Sequence, residues 1–249
     1  CRPDPSAWQD PAPLEGTPAS GQVSSMRLSV DSAAGASHRA TPSVAPPLTT
    51  RQCESSVRVA GDSVIGWYAA WWEVQPDSTA HVMVARSPDG VTWLPALRVD
   101  SADAGRTGCR RHPPSIAADG RNVHVAYSMA AREGAGIFAS HSMDEGRMFH
   151  WPVAVVYGDR IGSTAIAARG DLVAVAYEDP NSVQPRIGLA LSRTMAHLFQ
   201  VRQLVSPPGA VARSPDVAVG ERGGVIAVSW LRGTPNDEAR ATMVRIGVV

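Results

Sequence analysis

The chain has 249 residues, 44% of them hydrophobic, enough for one large all-β domain or two small ones around a sizeable core. Glycine (22) and proline (20) are abundant, which favours many short elements joined by turns. Basic and acidic residues balance at 23 each, so the chain has no general electrostatic pull on nucleic acid or anionic lipid, and neither is expected as a partner through bulk charge.

Every basic residue is arginine, in keeping with the Ala-, Gly- and Pro-rich codon usage of a GC-rich bacterial genome. No apolar run approaches the ~20 residues that span a bilayer. Residues 1–22 (CRPDPSAWQDPAPLEGTPASGQ) are too poor in large apolar side chains to offset chain entropy, and they read as a disordered or extended tail. A Cys1 followed by a polar, Pro-rich stretch resembles a mature bacterial lipoprotein. That resemblance implies lipid attachment at Cys1 and a periplasmic or other extracytoplasmic, membrane-anchored location. Val23–Val30 (VSSMRLSV) alternates as a strand does, and residues 31–52 return to a Pro/Ser/Ala linker.

From Cys53 to Val249 a repeat appears. Four segments share one pattern: SVRVAGDSVIGWYAAWW from Ser56, PSIAADGRNVHVAYS from Pro114, TAIAARGDLVAVAYE from Thr164 and PDVAVGERGGVIAVSW from Pro215. Each is a short apolar strand, a tight Gly/Asp turn and a longer alternating strand ending in Trp71, Tyr127, Tyr177 or Trp230. These aromatics recur about every 50 to 56 residues, the period of a propeller blade of four strands. Third strands follow from Ala80, Ala135, Arg186 and Ala241. Fourth strands read as WLPALRV, WPVAVVY and QVRQLV. The last unit lacks a fourth strand, and Val23–Val30 lacks a blade, so the N-terminal strand is expected to complete the last blade and cover its open edge. The expected fold is all-β: a small β-propeller of about four four-stranded blades, the last closed by an N-terminal strand.

The turn between third and fourth strands carries the sharpest motif. Ser142-Met-Asp144-Glu-Gly146-Arg-Met-Phe149 fits Ser-x-Asp-x-Gly-x-x-aromatic, Ser87-Pro-Asp89-Gly90-Val-Thr92-Trp93 is one residue shorter, and Ser192 to Phe199 keeps only the ends. An aspartate in such a turn accepts backbone amides, glycine permits positive φ, and the aromatic packs the hairpin down. On these boxes residues 53–249 resemble the sialidase-type, Asp-box (BNR-repeat) β-propellers. In that family the boxes lie at the rim and mark the fold. The family's enzymes have six blades and use an arginine triad, a Tyr nucleophile backed by Glu, and an Asp. Their Arg-Ile-Pro signature has no counterpart here beyond Arg186-Ile187-Gly188, and Tyr177 and Glu178, adjacent on a strand, point to opposite faces.

An arginine stands a few residues before each inner strand: Arg51, Arg110 with Arg111, Arg160 and Arg213. In a propeller these loops converge on one axial mouth, where guanidinium groups either hold an anion or acidic partner or pair with local carboxylates such as Glu54 and Asp159. Cys53 and Cys109 precede inner strands of adjacent units; they form one disulfide or remain two buried thiols. The seven histidines are scattered without metal-ligand spacing, and no phosphate loop, dinucleotide fingerprint or nucleophile elbow occurs, so neither metal nor cofactor is expected. The leading functional expectation is a non-catalytic, lipid-anchored accessory module docked on subunits of a membrane protein complex. The alternative is a sialidase-like glycan-binding or glycoside-hydrolysing propeller.

Overall fold

A computed structural model describes residues 7–13, 52–62, 66–221, 223–233 and 241–249. Four antiparallel sheets follow one another along the chain. The first comprises β3 (Arg58–Asp62), β4 (Gly66–Val74), β5 (Ala80–Ser87) and β6 (Leu97–Arg98). The second comprises β7 (Ser115–Asp119), β8 (Asn122–Ala131), β9 (Gly134–Ser142) and β10 (Val153–Tyr157). The third comprises β11 (Thr164–Arg169), β12 (Leu172–Glu178), β13 (Ile187–Ser192) and β14 (Val201–Leu204). The fourth is β15 (Val211–Val219), β16 (Val225–Gly233) and β17 (Ala241–Val248), bordered by β1 (Ala7–Trp8) and β2 (Ala12–Pro13). Helix among the described residues is limited to single 3-10 turns at Glu54–Ser56 and Gly108–Arg110. The architecture is that of a four-bladed propeller. β3 packs on β7, β7 on β11 and β11 on β15, so the blades form a consecutive arc.

The strand sequences explain the stacking. In β12, Val173, Val175 and Tyr177 face the second sheet while Leu172, Ala174 and Ala176 face the fourth, and all are buried. Alanine on one face lets the next sheet approach closely, and β-branched residues fill the wider gap on the other. Trp72 and Tyr127 meet edge-on at 6.1 Å between the first two sheets, and Trp230 anchors the packing between the last two. Gly120 and Gly170 adopt positive φ in the two-residue loops that close β7–β8 and β11–β12. Asp119 links these loops across blades, accepting Arg169 Nη1 at 3.0 Å and the Gly170 amide at 2.6 Å.

The N-terminal closure differs from the expectation in its segment. The edge of β17 expected to receive Val23–Val30 carries Ala7–Trp8 and Ala12–Pro13 instead, drawn from the stretch read as a tail; Val23–Val30 lie outside the described residues. The physical reason is Trp8. Its ring lies on Gly247, where a Cβ would stand 2.8 Å from it, and beneath the Arg245 guanidinium at 5.4 Å. Arg245 Nε donates to the Gln9 carbonyl at 3.0 Å. Pro13 suits an edge strand, where the missing N–H costs no ladder bond.

The hairpin turns have the chemistry anticipated for Ser and Asp. Asp144 Oδ1 accepts the Arg147 and Met148 amides at 3.1 and 3.0 Å and the Ser142 hydroxyl at 2.7 Å, while Ser142 Oγ accepts the Gly146 amide at 2.9 Å. Asp89 Oδ1 accepts Val91 and Thr92 amides at 2.8 and 2.7 Å and the Ser87 hydroxyl at 3.1 Å. Gly90 and Gly146 both adopt positive φ. Phe149 and Trp93 pack against buried clusters. The third turn keeps this network with Thr194 in place of Asp: Thr194 Oγ1 accepts the Leu198 amide at 3.1 Å and Ser192 Oγ the Ala196 amide at 3.0 Å. The Thr92 and Val91 amides hold the Asp89 carboxyl down at about 2 against an ordinary 3.8. A carboxylate depressed in this way stabilises the fold above its unfolded value, and that contribution disappears as pH falls through the folded value. Thermal unfolding should therefore lose stability between about pH 4 and pH 2, with a shallower slope in Asp89→Asn; an unchanged slope would assign the acid sensitivity elsewhere.

Candidate functional site

The loops leading into β7, β11 and β15 meet at one end of the blades and enclose two adjoining clefts. One, of about 310 Å³, is bordered by Arg110, Arg111, Met129, Ala130 and Ala135. The other, of about 390 Å³, is bordered by Arg160, Gly162, Glu178, Asp179 and Arg213. His112, Asp159 and Ile161 line both, so the two are halves of one axial depression.

Its walls are fixed from beneath. Cys53 and Cys109 form a disulfide with Cα atoms 5.4 Å apart, joining the first and second leading loops. Trp72 Nε1 donates to the His112 carbonyl at 2.9 Å. Arg111 forms a buried ion pair with Asp103, donates to the Gly105 carbonyl at 2.6 Å and lies 4.6 Å over the Trp72 ring. Asp103 Oδ1 also accepts the Gly105 and Ala130 amides at 2.8 and 3.2 Å.

The second cleft is built around Glu178. Its Oε1 accepts the Ser163 hydroxyl at 2.7 Å and the Ser214 amide at 2.9 Å. Ser214 holds φ +52, a left-handed conformation unusual for serine, inside the β15 irregularity between Arg213 and Asp216. Gly162 is packed so tightly that an added Cβ would stand 2.3 Å from Glu178 Oε2. Tyr177, the residue before Glu178, points the other way into the core, and burial pushes its hydroxyl up to about 12. It is therefore a packing residue and no nucleophile.

Of the predicted arginine ring, Arg110, Arg160 and Arg213 border the depression. Arg51 lies outside the described residues. Arg111 must be removed from the set of anion-binding groups: it borders the first cleft, but its guanidinium is committed to Asp103, Gly105 and Trp72. Asp103, absent from the carboxylates considered as its partners, shows no motif; only the fold brings it to Arg111. Cys1 also lies outside the described residues. A second grouping is absent from the sequence reading altogether. At the opposite end of the blades, His141, His150 and His197 bring their ring nitrogens within 4.8 Å of one another.

No protein-family model matches the chain, and no curated protein matches it. Solved structures do. The Hadza microbial sialidase Hz136 superposes with a TM-score of 0.53 at 17% identity, over 76% of this chain and 43% of that one. A protein of unknown function from Dyadobacter fermentans gives 0.53 at 12%, over 74% and 50%. The phage phi92 endosialidase gives 0.52 at 8%, over 77% and 35%. The chain thus spans half or less of the length of these neighbours. Its fold is that of a β-propeller. The expectation of a chain without catalysis is set aside on this finding, because two of these neighbours are a sialidase and an endosialidase.

The two roles assigned to arginine separate cleanly by stability. Arg111→Ala, which leaves Asp103 buried and uncompensated, should cost roughly 3–5 kcal/mol in urea unfolding. Arg110→Ala and Arg160→Ala, both exposed, should stay within about 0.5 kcal/mol of the parent chain. Equal losses in all three would place Arg111 back among the solvent-facing groups.

Proposed function

We propose that the chain is a glycoside-acting propeller whose saccharide site is the axial depression, and that its substrate is an acidic glycan. The observation that carries this reading is the meeting of carboxylates and arginines in one cleft, Glu178 and Asp159 with Arg160 and Arg213. Most glycoside hydrolysis, the Tyr-dependent sialidases apart, uses a pair of carboxyl groups flanking the scissile bond. Glu178, fixed by Ser163 and Ser214, supplies the anionic partner, and Asp159, exposed on the wall common to both clefts, supplies the acid. Arg160 offers a planar, bidentate donor suited to a sugar carboxylate, and Arg213 borders the same cleft. The sialidase and endosialidase neighbours support the substrate class. The Cys53–Cys109 disulfide supports an extracytoplasmic location, where such bonds persist and where glycans are met. A lipid anchor at Cys1 and a membrane-complex partner are compatible with that compartment.

A panel of aryl glycosides with and without a carboxylate on the sugar tests the proposal. Release of the aryl group is expected from the acidic members, falling by about 10²-fold or more in Glu178→Gln and Asp159→Asn. Arg160→Ala should raise KM for acidic sugars with little change for neutral ones. Turnover retained in both carboxylate variants would overturn the assignment.

A further inference from the structure

The histidine grouping opposite the cleft sits where two hairpin turns of neighbouring blades meet. His141 is the penultimate residue of β9, His150 directly follows Phe149 in the adjoining turn, and His197 lies in the corresponding turn of the next blade. Backbone bonding fixes their separation: the His150 amide donates to the His141 carbonyl at 2.8 Å, and Ser140 Oγ donates to the His150 carbonyl at 2.6 Å. The rings of His141 and His150 stack at 4.5 Å, and His197 meets His141 edge-on at 4.2 Å.

Three features set this apart from a chance meeting of aromatic rings. Both ring nitrogens of His141 are buried and have no hydrogen-bond partner, a costly arrangement for a side chain only 1% exposed. The Thr194 carbonyl lies 2.6 Å from His197 Nδ1, so that nitrogen carries the proton and Nε2 keeps its lone pair free. Directly across the strand pair, His124 adds a second fully buried ring, stacked on His141 at 6.0 Å.

We propose that His141, His150 and His197 form a three-histidine site for a divalent transition ion of the zinc class, with its remaining position open to solvent. Neutral imidazoles suit Zn²⁺, and three protein ligands leave one tetrahedral position free. Bonds of about 2.0–2.1 Å need ligand nitrogens about 3.3 Å apart. The present limit of 4.8 Å closes to that by rotation of exposed His197 and half-buried His150 towards fixed His141. Because the ligands come from two blades, the bound ion staples the second sheet to the third at the end remote from the saccharide cleft.

The test is a Zn²⁺ titration of the full chain by calorimetry, with Co²⁺ substitution followed by visible absorption. One equivalent is expected, with the intense d–d bands of four-coordinate Co²⁺ and a rise in unfolding temperature. His197→Ala, an exposed change that leaves the core intact, should weaken binding about tenfold or more, as should His150→Ala; His81→Ala should leave it unchanged. Absence of binding at 100 µM ion (about 5.5 kcal/mol by the affinity relation), or binding in the His197 and His150 variants equal to that of the parent chain, would overturn the site.

Discussion

The buried ion pair between Asp103 and Arg111 is the constraint on which the axial end of the molecule depends. Two charges leave water there, at a cost of several kcal/mol that only dense hydrogen bonding offsets. Asp103 meets this with the Gly105 and Ala130 amides, and Arg111 with the Gly105 carbonyl and the Trp72 face. Trp72 in turn holds His112 through its indole N–H, and the nearby disulfide ties the loop back to the first blade. The loop carrying Arg110 and His112 is thereby rigid at one wall of the cleft. Glu178, on the other wall, is held by Ser163 and by the strained Ser214. A pre-set arrangement of this kind is what the proposed saccharide site requires, since groups held in place do not have to be ordered when a ligand binds.

The blades supply the scaffold for both ends. Inner strands splay their leading loops to one end, and the two-residue loops and hairpin turns collect at the other. Close sheet stacking, made possible by alanines such as Ala126, Ala139, Ala174 and Ala176, brings loops from successive blades within hydrogen-bonding reach. At the cleft end this gathers Arg110, Asp159 and Arg213 from three separate loops. At the far end it gathers Asp119 with Arg169, and His150 with His197. One packing rule therefore generates two chemically distinct clusters.

Much of the fold is legible in the sequence, because strand alternation and turn residues are local signals and they repeat. Trp71, Tyr127, Tyr177 and Trp230 are each buried in the second strand of a sheet, and the Ser/Asp turns follow in register. The third turn was harder to see because Thr194 supplies through its hydroxyl what Asp supplies elsewhere. The pairing of Ala7–Pro13 with β17 is not legible in the sequence, because that segment does not alternate. An edge strand held by one tryptophan on a glycine leaves no periodic trace. The site was less legible still. Asp103 finds Arg111 only through the fold, and the three histidines stand 9 and 47 positions apart in the chain, spacings that no single helix or strand would bring to one face.

The central claim is that the axial depression between His112, Asp159, Arg160, Glu178 and Arg213 holds the saccharide. A crystal structure of the Glu178→Gln chain soaked with a sialylated or uronate-containing oligosaccharide tests it most directly. The account predicts a sugar ring in that depression with its carboxylate on Arg160 or Arg213. Sugar bound only elsewhere on the surface, with the depression filled by water, would contradict it.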